Sequence, residues 1–316
     1  MAVRCPGHTR PVLPLLADPA PVRPARHAAG PVWDDGAREL LWVDTVGDVR
    51  WGRVAPDGGV SDLAVRPVGQ TLGAVARTLT TGWLLAAGSG FRGLTPDGQV
   101  AVLLDLTDGA GSQAPMRSGG CDRAGRFFAG TGGAPEEPGA GSLYRIDLDG
   151  TVIAALTGLA VAAGIAWSPD DDVLYLADSG ARTVTAYDYD VDLGTLGRPR
   201  VLLDFGDSES GIPHGLAVDR AGHLWIAVAG PGEVRRYSPT GTIEAVVRVR
   251  ATQTTGCAFA GPALDVLVVS TSADGLSVRE QAAQPDAGRL FTTRISDVVG
   301  LAGSPYRGPL RGLTRA

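Results

Sequence analysis

The chain of 316 residues carries 28 Lys+Arg against 34 Asp+Glu, a formal net charge of −6. That mild acidity offers no basic face to nucleic acid, and no apolar run approaches the roughly 18 residues of a membrane-spanning helix. Every basic residue is Arg, since Lys and Asn are both missing, so a Schiff-base lysine and a P-loop lysine are excluded.

Cys5, Cys121 and Cys257 are odd in number and widely spaced; neither a disulfide framework nor a zinc ribbon follows, and a reducing cytoplasm is the expected compartment. Gly 45 and Pro 22 are spread along the chain, which points to many short strands rather than long helices. The first 29 residues read as a leader. Their apolar run is broken by Pro14 and ended by Asp18, too interrupted for a signal peptide.

From Gly30 onward the chain repeats itself. Units begin at Gly30 (GPVWDDGARELLWVD), Gly73 (GAVARTLTTGWLLAAG), Ser118 (SGGCDRAGRFFAGT), Gly164 (GIAWSPDDDVLYLADS), Gly215 (GLAVDRAGHLWIAVAG) and Gly256 (GCAFAGPALDVLVVSTS), with spacings of 43, 45, 46, 51 and 41 residues. Each unit reads as a short apolar strand, an acidic turn, an alternating strand such as LLWVD or HLWIAV, a Gly-rich turn, and two further strands. Four strands per roughly 45 residues is one blade of a β-propeller. Residues 30–316 therefore form a single all-β domain, a six-bladed propeller of four-stranded blades around a central channel. Residues 1–29 are expected to lend an outer strand to the last blade and so remove an exposed sheet edge.

The first strand of each blade lines the channel, so the residue before each unit should stand in one ring around the axis. Those six are Ala29, Leu72, Arg117, Ala163, His214 and Thr255.

At these motifs the sequence resembles the gluconolactonase / senescence-marker-protein / luciferin-regenerating-enzyme family, from about Gly30 to about Leu290. GPVWDD, DRAGRFFAGT, EEPGAGSLYRID, AWSPDDDVLYLADS and GLAVDRAGHLWIAV carry the likeness. It implies a six-bladed propeller with one divalent metal on the axis and lactone hydrolysis beside it. The family's metal ligands, a Glu, an Asn and an Asp, fall at Ala29, Ala163 and His214. Its substrate-binding Asn falls at Arg117, and the acidic residue that follows falls at Ser118. One imidazole with two alanines is no substitute for an oxygen-rich cation site. The family's calcium- or zinc-type metal is therefore expected to be lost, with no other cofactor in its place.

Of the residues that remain, His214 is the candidate general base or acid, since an imidazole titrates near neutrality. Arg117 could grip a carboxylate or an oxyanion with its two parallel donors, or serve as a structural ion pair. Glu209, five residues before His214 in the longest inter-unit segment, is a candidate lid acid. Ala29, Leu72, Ser118, Ala163, Asp178, Thr255 and Cys257 are candidate lining residues. For Asp178 and Asp44, tying blades together through backbone N–H groups is the stronger reading. Cys257 reads as a buried apolar residue before it reads as a nucleophile. His27, two residues from the ring, is within reach of the channel mouth, and His223 should face solvent.

Three functions fit: a metal-independent cyclase, isomerase or hydrolase of a small, biosynthetic molecule; a metal-dependent lactonase; or a non-catalytic binding protein. The expected partner is a small molecule, and the expected assembly a monomer or homodimer.

Overall fold

In the computed structural model, which describes residues 3–4, 14–106, 114–133, 139–206 and 211–315, the six repeats are six sheets arranged as propeller blades. Their inner strands are Ala28–Asp34, Leu72–Arg77, Met116–Cys121, Ala162–Trp167, Ile212–Val218 and Thr254–Ala260. Each packs against the next, and the last packs against the first. In blades 1 to 5 four consecutive strands follow one another antiparallel. Blade 6 takes its fourth strand from the other end of the chain: Asp18–Pro19 pairs antiparallel with Leu290–Arg294, Phe291 opposite Pro19 and Thr292 opposite Asp18.

Three outer edges carry a further two-residue strand, all in parallel pairing. Val3–Arg4 lies on blade 4, Leu15–Leu16 on blade 5 and Thr314–Arg315 on blade 3. These segments occupy backbone groups that would otherwise template another chain.

The second strands are buried almost without a break rather than in the in-and-out alternation expected from LLWVD and HLWIAV. A propeller blade is covered on both faces, so both sets of side chains need apolar surroundings. Phe127 and Phe128, neighbours in sequence, are both fully buried. Phe127 joins Phe91 and Ala74 in the core between blades 2 and 3, and Phe128 joins Leu174 and Leu176 between blades 3 and 4. Trp225 and Ile226 divide in the same way between the cores on either side of blade 5. Each of the six blade–blade interfaces has its own apolar cluster.

The acidic turns are fastened by their own carboxylates. Asp122 accepts from Arg126 N–H at 2.7 Å, from the Arg126 guanidinium at 2.9 Å and from the Tyr189 hydroxyl of blade 4 at 2.6 Å. Asp219 accepts from the N–H groups of Ala221 and His223 and from Trp225 Nε1. His223 is not the solvent-facing residue expected: its ring is mostly covered and lies 2.9 Å from Glu244. The one helix among the described residues, Val278–Ala283, sits between the second and third strands of blade 6 with Ser277 and Glu280 forming a capping box. No helix among the described residues is long and apolar enough to cross a membrane.

After blade 6 the chain crosses the face of the ring where the inner strands end. Gly300 bridges to Asp219 just beyond the blade 5 inner strand, and Tyr306 bridges to Thr78 just beyond that of blade 2.

Candidate functional site

A cavity of about 720 Å³ runs along the axis. At one end it is bounded by the starts of the inner strands, with His27, Ala29, Arg117, Ala163, His214 and Thr255; at the other by the strand ends and by Leu301–Pro305.

The ring at the strand starts is built from bulges, which re-aim a side chain out of the ladder. In blades 3, 4 and 6 the register skips one residue: Arg117, Ala163 and Thr255. In blade 5 it skips His214 and Gly215, and in blade 1 the irregularity follows Ala29. Blade 2 differs from the expectation, because the skipped residue is Gly73 and not Leu72. Leu72 still borders the cavity but is only 1% exposed, packed with Leu41, Val43 and Leu85 in the core between blades 1 and 2. A side chain at Gly73 is impossible without rearrangement, since its Cβ would lie 2.6 Å from the Met116 carbonyl carbon and 2.7 Å from Arg117 N. The same crowding explains the glycines after the ring: a Cβ on Gly164 would meet the His214 carbonyl oxygen at 2.6 Å. Inner strands converge there backbone to backbone.

Three nitrogen-bearing side chains gather at this mouth. Arg117 is exposed into it and its guanidinium makes no hydrogen bond or ion pair with any described residue, so the structural ion pair considered for it is not formed there. Burial still lowers its pKa from the ordinary arginine value. His214 is half-buried in the wall, and neither ring nitrogen hydrogen-bonds a described residue. Burial, and secondarily the charge of His27, hold its pKa down at about 4. The expectation of a group titrating near neutrality is thus corrected: His214 is a neutral imidazole at pH 7. His27 reaches the mouth as well. Its pKa is lowered by burial, against the raising influence of Asp274 and Asp44 and with a further lowering by Arg117. Asp274, in the loop after the second strand of blade 6, completes this rim and went unnoticed in the sequence.

The other candidates divide. Ser118 and Thr255 border the cavity, but their hydroxyls are committed to the next blade: Ser118 Oγ donates to Ala162 O at 2.7 Å and Thr255 Oγ1 to Ala28 O at 2.5 Å. Cys257 also borders it, with its thiol turned onto Trp225 O at 3.3 Å and its pKa pushed up to about 12 by burial. A thiol so protonated is no nucleophile. Asp178 does not border the cavity. Its carboxylate accepts from the N–H groups of Ala160, Val161, Gly180 and Ala181 at 2.9–3.1 Å. It thereby holds the segment entering the blade 4 inner strand, as Asp44 does in blade 1 through Arg26 and His27. The lining role for Asp178 is replaced by this structural one. Glu209 lies outside the described residues.

The donor set at the ring does not match the metal that the family resemblance implies. Ala29 and Ala163 bring only methyl groups to the ring, and no three His, Cys, Asp or Glu among the described residues converge to hold a metal ion. These residues do not fit an oxygen-coordinated divalent cation, which takes six or more oxygens or a near-octahedral set. What they can do is attract an anion or an oxyanion to Arg117 and exchange a proton at a neutral imidazole.

Comparison with known proteins agrees with this architecture. The family described as SMP-30/Gluconolactonase/LRE-like region matches residues 27–273. Regucalcin of Sus scrofa is 31% identical over 293 residues, spanning 88% of this chain and 94% of its own. A luciferin-regenerating enzyme of known structure is 27% identical with a TM-score of 0.79, covering 90% of this chain and 96% of that one. In fold, a calcium-binding regucalcin from Agrobacterium tumefaciens superposes with a TM-score of 0.84 at 24% identity, covering 97% of this chain and 100% of that one.

Proposed function

The chain belongs to the SMP-30/Gluconolactonase/LRE-like family, and we propose that within it this protein is a metal-independent enzyme of the axial cavity. Its substrate has an apolar body and one carboxylate or one carbonyl that becomes an oxyanion. The observation that carries the reading is Arg117, a cavity-facing guanidinium without an acidic partner among the described residues, at the same mouth as His214.

For a lactone the roles are simple. Arg117 donates to the carbonyl oxygen and stabilises the charge that develops on it. His214, neutral at working pH, takes a proton from water as the water oxygen bonds to the carbonyl carbon. The ring C–O bond then breaks, and the leaving oxygen takes the proton back. Cyclisation or isomerisation of an oxygenated small molecule would use the same two groups. The reading keeps a cytoplasmic location, where Cys121 and Cys257 stay as free thiols.

Binding of ring-opened hydroxycarboxylates, measured by calorimetry, tests the anchor. A charge-assisted, partly desolvated pair contributes roughly 1.5–3 kcal/mol, so Arg117→Ala should weaken binding by about tenfold to a hundredfold. Arg117→Lys should recover only part of it, because the fork geometry is lost. Wild-type affinity in both variants would overturn the anchor. Binding without turnover of any lactone by the wild type would make this a ligand-binding protein instead.

A further inference from the structure

We infer that the C-terminal segment Leu301–Pro305 is the floor of the substrate cavity, and that Leu301 and Ala302 set how long an apolar substrate it admits. This rests on the reading above that the charged end of the substrate sits at Arg117.

An axial channel through a propeller is open at both ends unless something crosses it. Here the crossing is made by the stretch between Gly300 and Tyr306. Its two ends are fastened. Gly300 N–H donates to Leu264 O at 2.8 Å, and Arg220 N–H to Val299 O at 2.8 Å. At the far side Tyr306 N–H donates to Arg77 O at 2.8 Å, Leu79 N–H to Tyr306 O at 3.1 Å, and Tyr306 is fully buried. The five residues between these anchors make no hydrogen bond with any described residue, and all five border the cavity. They span the void rather than pack into a sheet. Leu301 leans on the apolar core between blades 4 and 5, while Ala302 is exposed.

The chemistry of the two ends fixes the direction of the substrate. At the strand starts Arg117 is unpaired among the described residues. At the strand ends Arg77 is matched by Asp34 and Arg123 by Asp171, each at 2.9 Å. Between them the wall includes Val32, Val75, Ile165, Leu216 and Phe259. An anionic group therefore belongs at the ring and an apolar tail points toward the strap. Ser168 lies five residues beyond Ala163 along the blade 4 inner strand and its end, so the cavity is about 17 Å deep at roughly 3.3 Å per residue.

The test uses the full-length protein and a series of straight-chain 4-hydroxycarboxylates of increasing alkyl length, with affinity measured by calorimetry. Each methylene that finds apolar wall should tighten binding about fourfold, until the chain meets the floor and the gain stops. Leu301→Ala should move that break to longer chains, and Ala302→Trp should move it to shorter ones; thermal melts establish that each variant is folded. A break at the same length in wild type and both variants, or no break at all, overturns the floor. Arg117→Ala should weaken every member of the series alike and leave the break where it is. A break that follows Leu301 and Ala302 while Arg117→Ala changes nothing supports the floor and overturns the anchor. A series that does not bind at all overturns both.

Discussion

Acidification should reveal that His214 is buried as a neutral imidazole. Its pKa stands at about 4 in the folded protein against 6.5 in the open chain, so between those values the unfolded state binds a proton that the native state refuses. Stability at this residue is complete above about pH 6.5 and is lost as the pH falls toward 4. Each unit of separation corresponds to about 1.4 kcal/mol, and at pH 4.5 the accumulated loss is about 2.5 kcal/mol. His27, shifted in the same direction, adds to the slope. Guanidinium unfolding followed by tryptophan fluorescence at pH 7 and pH 4.5 measures it. His214→Gln, which cannot take up the proton, should lose about 2.5 kcal/mol less than wild type over that interval. Equal losses in the two proteins would refute the burial argument. The sign reverses for ligands: a carboxylate bound at Arg117 raises the imidazole pKa above the value of about 4 in the free protein, so its affinity should rise as the pH falls through that raised value toward 4.

Asp178→Asn should destabilise the fold by about 1–3 kcal/mol, because an amide NH2 then faces N–H groups that a carboxylate oxygen had accepted. Affinity of the folded variant for hydroxycarboxylates should change little, and an unchanged unfolding midpoint would deny the tie. Gly73→Ala should cost about 1–3 kcal/mol through overpacking against the Met116–Arg117 backbone and should weaken anion binding as Arg117 moves. Wild-type melting together with wild-type binding would place Gly73 away from the ring.

Much of the propeller was legible because its chemistry repeats. The carboxylates of Asp122 and Asp219 close equivalent turns, and the glycines at 164, 215 and 256 mark where inner strands crowd together. The ring position slips in blade 2 because Gly73 carries no side chain to show which residue is bulged, and it matches the glycine that opens four of the other five repeats. His27 and Asp274 lie in connections outside the repeat, so periodicity says nothing about where they project. The pKa of His214 depends on how much protein surrounds it, a quantity that spacing along the chain does not contain. Leu301–Pro305 has no strand pattern at all. It crosses the axis because its ends are fastened at Asp219 and Thr78, on blades 5 and 2, far earlier in the chain.

The most direct measurement is turnover of a panel of alkyl-substituted γ- and δ-lactones by protein stripped with a chelator, its metal content determined on the same sample. Metal-free proton transfer at His214 predicts an undiminished rate after stripping, and a fall of about 10²- to 10⁴-fold in His214→Ala. A rate that vanishes on stripping and returns with one equivalent of a divalent cation would contradict it.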